Sequence, residues 1–81
     1  MDREEVTDRI IEIIEDICGD DIVWEERDAD LFEEGLFDSL AAIEFLVTLE
    51  EEFGVRIAPT EVEREEMNTV NLIIDRVMER L

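Results

Sequence analysis

Apolar positions recur at helical spacing in three stretches of the chain. Val6, Ile10, Ile13, Ile14 and Ile17 form one stripe, with Ile11 and Cys18 at its flank, and predict a helix from Glu4 to Cys18. Asp2 and Glu5 have capping-box spacing, and Gly19 supplies a left-handed end. A second helix starts at Asp38 or Ser39 and runs to Phe53, where Gly54 stops it. The last carries Val70, Ile73, Ile74, Val77, Met78 and Leu81 on one face. Asn68 is its expected cap, with Met67 and Leu72 at hydrophobic-staple spacing. Between these helices Val55-Arg56-Ile57 reads as extended and Pro59 fixes a turn. Thr60 and Glu63 form a capping box that opens a short helix to Glu66. Residues 19–37 show no sustained period, and so long a connection reads as a packed or functional loop. Trp24, Leu31, Phe32, Leu36 and Phe37 are its expected anchors, and Asp30 and Glu33 cap one helical turn within it. The whole predicts an all-α, single-domain bundle over residues 1–81, with three main helices and one short one.

The second helix carries two apolar stripes. At about 100° per residue, Ala42, Phe45, Leu46, Leu49 and Phe53 align on one side, and Leu40, Ile43 and Val47 on another. Glu44, Glu50 and Glu51 lie among or beside the second set. Carboxylates are almost never fully buried without partners. The first stripe is therefore assigned to the core and the second to the surface, where aliphatic side chains ringed by acids resemble a small protein-docking site. The competing reading is that Leu40, Ile43 and Val47 widen the core of a helix buried on two sides.

Charge narrows the partners. The chain has 26 acidic residues against seven basic ones, a net charge of −19. Every cation is arginine, and lysine and histidine are absent. Such a charge opposes nucleic acid and anionic membranes and favours basic partners. Without histidine or lysine, Ser-His and Cys-His catalysis, Schiff bases and the phosphate-loop lysine are excluded. The single cysteine, Cys18, forms no internal disulfide and reads as a core-edge residue. Neither a secretion signal nor a membrane-length apolar run is present in these residues, so a soluble cytoplasmic protein is expected; the expected oligomeric state is a monomer. Asp28-Ala29-Asp30 begins like a calcium loop, but Phe32 and Glu33 occupy places where a ligand and a glycine belong. No metal site is expected.

Ser39, after Asp38, stands at the start of the second helix. A helix cap is the plain reading of such a residue. The other reading is a modified serine, whose phosphate ester would meet the positive end of the helix dipole. The chain offers no base to activate the hydroxyl, so Ser39 would react only inside another enzyme's active site.

The run Leu31-Phe32-Glu33-Glu34-Gly35-Leu36-Phe37-Asp38-Ser39-Leu40 resembles the modification-site signature of acyl and peptidyl carrier proteins. The resemblance implies a four-helix carrier fold with 4′-phosphopantetheine covalently attached to Ser39 of the Asp38-Ser39-Leu40 motif. It implies that the helix beginning there recognises partner enzymes, a role falling on Leu40, Ile43, Glu44, Val47, Glu50 and Glu51. Gly19-Asp20-Asp21-Ile22-Val23, the Phe-Glu-Glu-Gly-Leu run and Pro59 to Glu66, followed by Asn68-Thr69 and Asn71, are similar to the D-alanyl branch of that family. Met67, Val70 and Leu72 depart from the branch, which often has tryptophan, proline and lysine there. The implied partners are a phosphopantetheinyl transferase, an adenylate-forming ligase and a downstream acyltransferase, in cell-wall teichoic acid modification. A stand-alone carrier for fatty-acid, polyketide or other amino-acid chemistry is the nearest alternative. An acidic interaction module without a prosthetic group is the alternative from another class.

Overall fold

The three periodic stretches become three α-helices. The computed structural model describes residues 2–58 and 63–81, the Arg64 side chain apart. Helix α1 spans Arg3–Cys18, α2 Ser39–Phe53 and α3 Val70–Arg80. Two 3-10 turns, Asp21–Trp24 and Arg64–Glu66, lie in the connections, and no strand occurs among the described residues. The fold is therefore all-α. The expected short helix is represented among the described residues by the turn Arg64–Glu66, where Glu66 Oε1 accepts the Glu63 N–H at 3.1 Å. The expected Pro59 turn and Thr60 cap lie outside the described residues. No helix among the described residues is long and apolar enough to cross a membrane.

Local chemistry sets the helix ends. Asp2 accepts the Glu5 N–H at 2.9 Å, and Glu4 and Glu5 place negative charge on the positive end of α1. Gly19 and Gly54 end α1 and α2 in the left-handed conformation. The cap of α3 is Thr69, whose hydroxyl accepts the Leu72 N–H at 3.1 Å, not Asn68. Asn68 is engaged elsewhere: its side-chain amide donates to Asp30 at 2.9 Å and its carbonyl accepts from Leu31 N–H at 2.7 Å. Moving the cap one residue on also removes Met67 and Leu72 from staple register.

Helix α1 is central, packing against α2, α3 and the 3-10 turn that follows it. Its covered arc is wider than a single stripe. Ile11, expected at the flank, is fully buried with Val6, Ile10, Ile13 and Ile14, while Ile17 is half-buried. Helix α3 buries Val70, Ile73, Ile74 and Val77; Leu81, past its last turn, is exposed. Val55 and Ile57 point into the core and Arg56 out, the alternation of an extended segment. The long connection is pinned as its anchors predict. Leu31 and Phe37 are buried and Trp24, Phe32 and Leu36 pack against the core, joined by Val23, which no periodicity marked. The Trp24 indole N–H donates to Glu15 at 2.9 Å.

Candidate functional site

The residues before α2 form a turn closed at both ends. Asp30 Oδ1 accepts the N–H groups of Phe32 and Glu33 at 2.9 and 3.1 Å, a cap on one helical turn. At the far side the Gly35 N–H reaches the Phe32 carbonyl at 3.2 Å and the Leu36 N–H reaches that of Leu31 at 2.9 Å. These paired bonds are a Schellman closure, which places Gly35 at φ 74°, where a Cβ would be strained. The Phe37 N–H shares the Leu31 carbonyl at 3.0 Å. The Phe37 ring then meets Phe32 edge-on at 6.1 Å and Phe45 of α2 at 5.8 Å. Backbone and rings together fix where the chain enters α2.

Asp38 caps α2 through its carboxylate, which accepts the Ala41 N–H at 2.8 Å. Ser39 is the first helical residue and is exposed. The cap reading of Ser39 is thereby corrected: Asp38 caps, and the serine hydroxyl stands at a surface helix start. The first turn of α2 contains no acid, in contrast to α1. Its positive end is suited to a phosphate ester on the Ser39 side chain.

Along the same helix, Leu40 is 75% exposed, Ile43 50% and Val47 51%. Phe45 and Leu49 are buried, and Ala42, Leu46 and Phe53 are half-buried. The first stripe faces the core and the second faces out. Glu44, Glu50 and Glu51 are exposed beside it, and none joins an ion pair among the described residues. Glu52, on the other side, is held by Arg9 of α1 through contacts of 2.6 and 3.1 Å. That hydrogen-bonded guanidinium lowers the Glu52 carboxyl below its ordinary value.

A cleft of about 300 Å³ opens beside Ser39, between α2 and the start of α3, with Ala42, Ile43, Leu46 and Met67 among its walls. Among the described residues, Glu63 is the one ionisable residue lining it. The Asp28 and Asp30 carboxylates accept hydrogen bonds from Asn71 and Asn68, at 2.8 and 2.9 Å. No group of three or more potential metal ligands exists among the described residues. These aspartate–asparagine ties, spanning 43 and 38 residues, had no signal in local sequence.

Residues 8–77 match the family described as phosphopantetheine attachment site. The chain belongs to the phosphopantetheine attachment-site family. Members hold 4′-phosphopantetheine covalently on a serine, and the chain is accordingly a carrier and not a catalyst. It is similar to a D-alanyl carrier protein of Lactococcus lactis subsp. cremoris (strain MG1363), with 47% identity over 73 residues, 90% of this chain and 92% of that one. It is 37% identical over 75 residues to the D-alanyl carrier protein of Bacillus velezensis, covering 93% and 96% of the two chains. The protein of that name in Bacillus subtilis (strain 168) shares 37% over 70 residues, 86% and 90% of the two chains. The residues present fit the group that the family carries: an accessible hydroxyl at a helix start where Asp38 caps the Ala41 N–H and the first turn itself carries no acid. When bound, the group supplies a terminal thiol for thioester chemistry.

Proposed function

We propose that Ser39 is the attachment point and that the cargo is D-alanine. The observation that carries this is an exposed serine opening α2, held by a capped turn and followed by an exposed aliphatic stripe. Ser39 is also the only serine in the chain. A phosphopantetheinyl transferase is the first partner. The Ser39 hydroxyl attacks the phosphorus of coenzyme A that bears pantetheine. A new P–O bond forms, the bond to the 3′,5′-ADP leaving group breaks, and the serine proton passes to a base of the transferase. Asp38 holds the helix start during this step. An adenylate-forming ligase then loads the thiol, releasing AMP, and a downstream acyltransferase removes the alanyl group for teichoic acid modification. The D-alanyl cargo is supported by the relatives' names and coverage.

On this reading the 81 residues act as one carrier domain, as a monomer, on the cytoplasmic side where coenzyme A is supplied. Leu40, Ile43 and Val47 give the apolar contact, and Glu44, Glu50 and Glu51 steer basic partner surfaces. Incubation with coenzyme A and a broad-specificity transferase should add one phosphopantetheinyl group to the mass, and none to Ser39→Ala. Uptake by Ser39→Ala, or none by the parent chain, refutes the attachment. Loading of the holo-protein with D-alanine in preference to L-alanine or fatty acids tests the cargo separately.

A further inference from the structure

Asn68, just before α3, is linked to Phe37, two residues before Ser39, through a relay of hydrogen bonds. Asn68 grips the turn before α2 at two points: its side-chain amide donates to Asp30 Oδ2, and its carbonyl accepts from Leu31 N–H. The other oxygen of Asp30 caps that turn. The Leu31 carbonyl in turn accepts from Leu36 and Phe37, the two residues before Asp38. Both Asp30 and Asn68 are half-buried, where an amide–carboxylate bond is less exposed to water than a surface pair. Asn71 makes a second tie nearby, its amide to Asp28 and its N–H to the Arg27 carbonyl at 3.1 Å. That tie does not pass through Leu31.

We infer that Asn68 is a positioning residue for modification of Ser39. It acts through Asp30 and Leu31, holding the turn so that the hydroxyl meets the transferase-bound coenzyme A in reactive geometry. This rests on Ser39 being the attachment point. Misplacing a reacting atom by about an ångström can cost on the order of a hundredfold in rate. Ile43 and Val47 of the docking stripe lie further along α2, so loosening the turn should act on turnover more than on binding.

The test uses the whole chain, coenzyme A and a broad-specificity transferase, with kcat and KM measured for the carrier as substrate. Asn68→Asp sets a carboxylate against that of Asp30 and should lower kcat about tenfold, with KM within about twofold. The exchange Asp30→Asn with Asn68→Asp rebuilds the pair with donor and acceptor swapped. Its position-30 oxygen still caps the turn, and the exchange should restore kcat to within about twofold of the parent. Asn71→Ala, which removes the side-chain half of the neighbouring tie, should leave kcat nearly unchanged. Unchanged kcat in Asn68→Asp, failure of the exchange to restore it, or an equal loss in Asn71→Ala would overturn the inference while leaving Ser39 modified. A parent chain that takes up no phosphopantetheine overturns both this and the attachment reading.

Discussion

Helices α1 and α2 are nearly equal in length and are treated in opposite ways. In α2 nine of 15 residues are apolar, in α1 seven of 16, yet α1 is the better buried. Five residues of α1 are buried, against Phe45 and Leu49 alone in α2. The helix with more apolar residues leaves three large ones, Leu40, Ile43 and Val47, at the surface. Helix α1 also carries cations, Arg3 and Arg9, which pair with Asp75 of α3 and Glu52 of α2. Helix α2 has none. One helix organises the bundle, and the other gives up burial to keep a face available. Hydrophobic content alone would have ranked their burial in the wrong order.

The comparison breaks most readily by truncation. Ile10→Ala in α1 should cost about 2–5 kcal/mol in urea unfolding, from lost transfer energy and the cavity left behind. Leu40→Ala in α2 should stay within about 0.5 kcal/mol of the parent. A similar cost at both positions would mean that α2 is buried on two sides. The double variant Leu40→Ala with Val47→Ala should instead raise the KM of the transferase or ligase about fivefold or more, the size of a ~1 kcal/mol contact. An unchanged KM would remove the docking role of the stripe.

Smaller effects come from charge. Raising salt from roughly 50 to 500 mM should raise KM severalfold with kcat little changed, because exposed carboxylates are screened beyond a few ångströms. Indifference to salt would refute steering by Glu44, Glu50 and Glu51. The Arg9–Glu52 pair sharpens the contrast from the other side. Its hydrogen bonds lower the Glu52 carboxyl, so the stabilisation is present above the ordinary carboxylate value and is lost as pH falls through the folded one. The difference in melting temperature between the parent and Arg9→Gln should therefore be largest near neutrality and vanish well below pH about 4. A difference that persists in strong acid would assign the effect to packing of the arginine stem.

Much of this was legible because it is local. The two stripes of α2 follow from helical period and from the cost of burying Glu44, and a helix start at Asp38 or Ser39 from the residue types before an apolar-periodic run; only the Asp38–Ala41 hydrogen bond decides which of the two caps. What escaped depends on partners distant in sequence. Ile11 is buried because α1 is covered by three neighbours, which a one-stripe pattern does not encode. Asn68 looked like a cap because asparagine favours that place. Asp30, 38 residues earlier, claims its amide and leaves capping to Thr69. Val23 sits in a stretch without period, and only its 3-10 turn against α1 buries it.

The outward stripe has a consequence for traffic between enzymes. From Leu40 to Val47 it spans eight residues, a rise of about 10 Å along the helix. If partners dock there as proposed, that footprint admits one visitor at a time, with the exposed Ser39 hydroxyl at its edge. On the proposed docking role, a transferase and a ligase would therefore take turns, each leaving before the next arrives. A partner that clung too tightly would stall the others, so selection for fast release should keep this patch small.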